Sequence, residues 1–219
     1  MRAETLRGLL GALGVKRCIF AGGSGGARDS MLTTMLYPDL VTKLVVWNIV
    51  GGIYGTFVLG SYYIVPSILA ARGTGVEGLL QVPEWRERIE ENPANKQRFL
   101  DLDKDEFLKV MLRWLNAFVS KPGQTIPGVE DEMFDRIQVP TLIIRGGEND
   151  FDHPKRTSYE VHCLIKGSRL IEPPWPEDAW EQASKARNEG RGSIFDPWVK
   201  AAPALLDFID ESVPALQRA

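Results

Sequence analysis

Short apolar runs alternate with helical patterns along the chain, and together they predict an α/β protein. Four segments with apolar centres have the length of buried strands, and they lie at 17–21, 43–47, 139–144 and 169–172. Helical periodicity or helix-start signals lie at 27–37, 83–91, 105–120, 154–166 and from 196 onward. This order predicts a short parallel sheet of four strands in sequence order, with helices on both faces.

A helical insertion separates the second predicted strand from the third. We predict a core made of 1–51 and 137–219, with the insertion at 52–136. Six apolar residues share one face of the helix predicted at 105–120, a stripe that is typical of core packing: Phe107, Val110, Met111, Trp114, Leu115 and Phe118. The aromatic residues of the insertion also favour an apolar pocket, and Trp114 is the candidate substrate-binding residue among them.

A stretch without any charged residue runs from 44 to 71. An uncharged run of this length is one signature of a membrane-spanning helix. Here, however, Asn48, Thr56, Ser61, Pro66 and several glycines interrupt it. We therefore predict a buried strand followed by an apolar loop and helix, and no membrane partner.

The motif Gly22-Gly23-Ser24-Gly25-Gly26 lies where the first strand runs into the first helix of the sheet. In that context a G-x-S-x-G pattern is typical of a nucleophile elbow, a sharp turn that exposes a serine hydroxyl. Glycines are needed because the turn strains the serine backbone and packs its neighbours closely. Ser24 is the candidate nucleophile. The Gly25 N–H group, at the positive end of the helix, is a candidate oxyanion donor, with Gly23 beside it.

The chain resembles the α/β-hydrolase superfamily in the order of its motifs. After the elbow, the segment Tyr37-Pro38-Asp39-Leu40-Val41 is similar to the family's link to its next strand. The segment 139–150 is similar to the family's buried strand and acid loop. The resemblance implies that Asp150 is the acid of a catalytic triad, and that the insertion at 52–136 is a helical cap or lid that walls the substrate pocket.

The resemblance also implies residues that this sequence does not show. The family's histidine follows the last strand, but no histidine occurs here after His162. His153, three residues beyond Asp150, is the candidate base; the alternative is that it only begins the next helix. His162 is predicted to be an ordinary boundary histidine. Glu177 and Asp178 could serve only if burial raised their pKa, and they are more typical of a solvated loop.

The composition is that of a globular domain. The chain has 219 residues, 44% hydrophobic and 25% charged, with a net charge of −3. Charges of both signs are interspersed along the chain, so the sequence predicts no basic surface that would bind nucleic acid. The two cysteines, Cys18 and Cys163, are too few for a disulfide framework, and they lack the paired spacing of a zinc site. We predict a cytoplasmic protein with no metal and no cofactor.

Two functions remain open from the sequence. The first is a serine hydrolase that acts on a small apolar ester, lactone or related carbonyl substrate, with Ser24, Asp150 and His153 as its catalytic residues. The second is a catalytically impaired hydrolase-like protein that binds a ligand or partner, or a truncated form of a longer hydrolase. The family's first strands, which supply the second oxyanion donor, have no counterpart here. We therefore expect the strand at 17–21 to be an exposed edge, through which the chain either forms a homodimer or aggregates and is poorly soluble.

Overall fold

A four-stranded parallel sheet forms the centre of the fold, as predicted. The computed structural model describes residues 2–211, and in it the strands pair in the order β1-β2-β3-β4. Their bounds are β1 (Cys18–Gly23), β2 (Val41–Trp47), β3 (Thr141–Ile144) and β4 (Arg169–Ile171). Residue 1 and residues 212–219 of the predicted core segments lie outside the described residues.

Helices surround this sheet and fill the segment between β2 and β3. Those before the insertion are α1 (Arg2–Ala12) and α2 (Gly25–Leu36). Those of the insertion are α3 (Gly52–Tyr63), α4 (Val65–Thr74), α5 (Pro83–Glu91), α6 (Ala94–Leu100) and α7 (Lys104–Phe118). Those that follow are α8 (Lys155–Leu164), α9 (Ala179–Asn188) and α10 (Ala202–Asp210). The fold class predicted from the sequence, α/β with an inserted helical segment, is confirmed.

Both faces of the sheet are covered, because successive residues of β2 are apolar and point alternately to one face and the other. Leu44 and Val46 of β2 are fully buried on the face that α2 and α8 cover. Val45, between them in sequence, is buried on the opposite face against Phe208 of α10. A strand that is apolar at successive positions is stable only when both faces are packed. The sheet is therefore buried at its centre and open only at its edges and ends.

The inserted helices have a hydrophobic cluster of their own. It joins Ile64 and Ile68 near the start of α4 to Phe107 and Met111 of α7. The stripe predicted on α7 is narrower than expected, since Trp114 is 63% exposed. The apolar spacing predicted which face of α7 packs against the other inserted helices, but not how much of that face they bury. The division into a core at 1–51 and 137–219 and a cap at 52–136 stays a prediction.

The uncharged stretch folds as β2, α3 and α4. Within residues 2–211 no single helix is long and apolar enough to cross a bilayer. The pair α3 and α4 meets that test jointly, on length and composition alone, with a bend of 42° between the two helices.

Strand β1 is an edge of the sheet. It pairs with β2 on one side, and no strand within residues 2–211 pairs with its other side. Phe20 is only partly buried there and Ala21 is exposed. Unpaired edge strands with apolar side chains tend to pair with another chain. We expect light scattering to give the mass of a dimer, and Ala21→Lys, at an exposed position of this strand, to shift it to that of a monomer. A concentration-independent monomer for the unaltered chain would contradict this.

Candidate active site

Ser24 occupies the turn between β1 and α2 in a strained backbone conformation. Its φ is 54° and its ψ is −124°, in a region that residues with a side chain rarely adopt. The turn closes tightly because Gly22 lacks a side chain: a Cβ there would lie 2.5 Å from the backbone of Gly26. Ser24 N–H donates to the carbonyl of Asn48, at 3.0 Å, which ties the turn to the end of β2. The predicted backbone strain is therefore present at Ser24, and so is the close packing at Gly22. The close packing predicted at Gly26 is not, because a Cβ there would have no neighbour within 4 Å.

The loop after β3 brings Asp150 and His153 to this turn. Nε2 of His153 lies 2.9 Å from the Oγ of Ser24, and Nδ1 lies 2.9 Å from Oδ2 of Asp150. The backbone N–H of His153 also donates to Oδ1 of Asp150, at 2.9 Å. The three side chains thus form one hydrogen-bonded chain, although Ser24 and His153 are 129 residues apart. With Nδ1 donating to the carboxylate, Nε2 is free to accept the serine proton.

The acid and the histidine are almost fully buried. His153 is 1% exposed and Asp150 is 4% exposed. Trp180 of α9 packs edge to face against the imidazole ring at a centroid distance of 4.5 Å. Its indole N–H donates to Asp152, which fixes the indole in place. The segment after β4, where the resembled family has its histidine, therefore supplies an aromatic wall for the histidine that comes from the β3 loop.

The other predicted site residues take different positions. Gly25 is the first residue of α2, whose first N–H groups have no intrahelical acceptor and can receive an anion. Gly23 is the last residue of β1; a Cβ there would meet the Trp47 ring, 2.3 Å from its Nε1. Trp114 is exposed on α7 and lines neither of the two clefts described below.

The remaining candidate bases are held in other interactions. Nδ1 of His162 lies 2.7 Å from the Oγ of Ser168, outside the Ser24 site. Glu177 pairs with the buried guanidinium of Arg145, and this hydrogen bond lowers the pKa of Glu177 to about 2. A carboxylate with so low a pKa is a poor proton acceptor near neutral pH. Asp178 accepts from Gln182 within the first turn of α9.

Arg145 ties together the two loops that bear on the site. It follows β3, is 4% exposed, and pairs with Glu172 and Glu177 of the segment after β4. Glu177 also accepts from the backbone N–H of Glu148, at 2.7 Å. The same contacts lower the pKa of Glu172 and raise that of Arg145. The sequence offered no signal for this cluster, because its members are 27 to 32 residues apart.

Two clefts lie near these loops. The larger, of about 800 Å³, lies between Tyr54 of α3 and Tyr159 of α8, with Phe151 also in its wall. Its lining includes Asp150 but neither Ser24 nor His153. The smaller is a hollow beside Asp150, between Trp180 and Trp198. The larger cleft thus reaches the acid but not the serine, and its wall combines aromatic side chains with charged ones such as Lys155 and Glu160.

Comparison with known proteins shows which proteins share sequence similarity or the fold with this chain. No protein-family model matches the chain. Serine hydrolase BPHL of Homo sapiens is 24% identical over 162 residues, which is 74% of this chain and 48% of that protein. The chain therefore spans about half the length of this curated relative.

Solved structures match almost the whole chain. An α/β hydrolase enzyme, MGS-M2, from a Medee basin deep-sea metagenome library is 19% identical with a TM-score of 0.55; the match covers 99% of this chain and 73% of that one. The enol-lactonase from Burkholderia xenovorans LB400 is 18% identical with a TM-score of 0.50, over 95% of this chain and 72% of that one. This chain therefore has the fold of the α/β-hydrolase superfamily, as its motif order predicted.

Proposed function

We propose that this protein is a serine hydrolase that cleaves small apolar esters or lactones. The observation that carries the proposal is the hydrogen-bonded chain from the Oγ of Ser24 through the ring of His153 to the carboxylate of Asp150. A serine hydroxyl is a weak nucleophile until a neighbouring base takes its proton. We assign this role to His153, whose Nε2 lies 2.9 Å from Oγ; with Nδ1 protonated and donating to Asp150, Nε2 can accept the serine proton.

In this mechanism the Oγ of Ser24 attacks the carbonyl carbon of the substrate while Nε2 of His153 takes the hydroxyl proton. Asp150 holds the Nδ1–H and stabilises the imidazolium that forms, without itself taking the proton. The imidazolium then gives its proton to the leaving alkoxide, and an acyl-serine remains. A water molecule, deprotonated by the same Nε2, attacks the acyl group, and the proton returns to Oγ as the acid is released.

The carbonyl oxygen becomes negatively charged during each attack, and the start of α2 is placed to stabilise it. Gly25 N–H lies in the first turn of this helix, directly after Ser24. Donors aimed at a developing oxyanion typically contribute two to three orders of magnitude in rate, so we assign Gly25 this role.

An apolar substrate is favoured by aromatic side chains next to the acid. Tyr54 of α3 and Phe151 of the acid loop are exposed, and their rings pack edge to face with centroids 6.1 Å apart. Both line the larger cleft, whose lining includes Asp150. The similar proteins described above include a serine hydrolase and an enol-lactonase. These names agree with a serine nucleophile and with an ester or lactone as the substrate class.

A second candidate function is binding without turnover. The observation that favours it is the cleft of about 800 Å³, whose lining includes neither Ser24 nor His153. A protein that only binds an apolar ligand there would have no need of a reactive serine. Reactivity of Ser24 therefore separates the two functions.

The test is covalent labelling with a fluorophosphonate, which reacts with activated serines. We expect the unaltered chain to gain one adduct by intact mass, located on Ser24, with loss of fluoride from phosphorus. Ser24→Ala should not label, and Ser193→Ala, which alters a partly buried loop serine outside the hydrogen-bonded chain, should label normally. Equal labelling of Ser24→Ala, or no labelling of the unaltered chain, would remove the basis of the proposed function.

A further inference from the structure

Asn48 contacts all three residues of the hydrogen-bonded chain. It follows β2 directly, and its carbonyl accepts the N–H of Ser24 at 3.0 Å. Its side-chain Nδ2 donates to Oδ2 of Asp150 at 2.9 Å and lies 3.5 Å from Nδ1 of His153. Asn48 thus joins the turn that carries the serine to the loop that carries the acid and the base.

The conformation of Asn48 is costly for the fold. Its φ is 44°, and within residues 2–211 only Ser24 among the other non-glycine residues has a positive φ. Asparagine adopts this region more readily than most residues, but strain remains. The residue is also 2% exposed, and its Oδ1 has no hydrogen-bond partner. An unpaired buried oxygen lowers the free energy of unfolding. Stabilisation of the fold therefore does not explain why an asparagine occupies this position in this conformation.

The orientation of the side-chain amide follows from its neighbours. Nδ2 faces the carboxylate of Asp150. Exchanging the two ends of the amide would place Oδ1 against a carboxylate oxygen, with no proton between them. The amide is therefore oriented by Asp150, and in return it supplies the carboxylate with a donor besides the backbone and ring of His153.

We propose that Asn48 is a positioning residue for the acid–base pair, an inference that rests on the proposed function. It holds the carboxylate of Asp150 where that group orients the ring of His153 with Nε2 towards Ser24. Through its carbonyl it fixes the serine turn relative to that ring.

Two variants separate positioning from fold maintenance. Asn48→Gly removes the amide but tolerates the positive φ, because glycine adopts it without strain. Asn48→Asp keeps the shape and replaces the donor with a second carboxylate. Ser120→Ala is the matched control, since it removes a buried, unpaired polar atom from a position outside the site. For each protein we would measure the fluorophosphonate labelling rate from pH 5 to pH 9 and the melting temperature.

We expect both Asn48 variants to label about ten- to a hundredfold more slowly, the usual effect of a misplaced reacting group. In Asn48→Asp the added negative charge should hold a proton on His153, so the acid limit of labelling moves up by about one pH unit. The other carboxylates nearby bind other groups, and the variants leave these contacts in place. Asp152 accepts from Trp180, and Glu177 pairs with Arg145. Ser120→Ala should match the unaltered chain.

The results of this experiment separate the role of Asn48 from the proposed function. Slower labelling with a raised acid limit supports the positioning role, since loss of folded protein alone would lower the amount labelled without moving the limit. Variants that label at the rate of the unaltered chain, with the same acid limit, would overturn this inference and leave the proposed function intact. An unaltered chain that does not label at all would overturn both.

Discussion

Replacing His153 with alanine is expected to lower hydrolysis of p-nitrophenyl acetate by about two to four orders of magnitude, the usual contribution of a positioned general base. Nε2 of His153 lies 2.9 Å from the Oγ of Ser24, and without it the hydroxyl keeps its proton at neutral pH. The comparison to make is kcat and kcat/KM of the variant against those of the unaltered chain.

His162→Ala is the matched control. This histidine is bonded to Ser168 and takes no part in the chain from Ser24 to Asp150. We expect its removal to change kcat by less than about threefold, within the range of substitutions that touch no reacting group. Equal losses in the two variants would show that the effect is general to the fold. Full activity in His153→Ala would show that Ser24, if it reacts, uses another base.

The sheet could be predicted because each of its strands carries a local signal. The run at 43–47 is apolar after Lys43 and lies within the observed β2 (Val41–Trp47). Helix α5 begins and ends where the proline at its start and the pattern after it predicted, Pro83–Glu91. Helix α9 (Ala179–Asn188) was not predicted, because only Ala179 and Ala183 of it are buried. With so little apolar surface, a helix leaves no clear periodicity.

Part of the site could also be predicted locally. The elbow is a continuous motif, and Asp150 and His153 lie three residues apart on one loop. The structure brings this loop to Ser24, and the catalytic roles of all three residues stay predictions. Asn48 was no more than a polar interruption of an uncharged stretch. Its contact with Asp150, 102 residues away, depends on strands β2 and β3 lying side by side.

Glu177 shows why a lone carboxylate in a loop is difficult to assign from sequence. It lies where the resembled family has its base, so a buried, protonated carboxyl was an alternative. In the structure, Arg145 instead lowers its pKa to about 2. The sign of such a shift depends on which charge the fold places beside the group, and the sequence spacing of 32 residues does not show that.

The second large effect is expected from Gly146→Ala, at the end of β3. A Cβ at this position would lie 2.1 Å from the carbonyl oxygen of His153, so the backbone that carries the base must move. Overpacking of this kind costs about 1–3 kcal/mol, which lowers the melting temperature of a chain of this size by about 2–12 °C. A shift of about 1 Å in the base should slow labelling of Ser24 about a hundredfold.

Gly73→Ala is the control for this prediction, because a Cβ on this helical glycine would have no neighbour within 4 Å. It should keep the labelling rate and raise stability slightly, since alanine favours a helix by about 1 kcal/mol over glycine. The two measurements are thermal unfolding and the fluorophosphonate labelling rate at a temperature where both variants are folded. If Gly146→Ala melts lower yet labels at the unaltered rate, the loop can absorb the methyl group without moving His153. The reactivity of Ser24 then does not depend on the close approach of β3 to that loop.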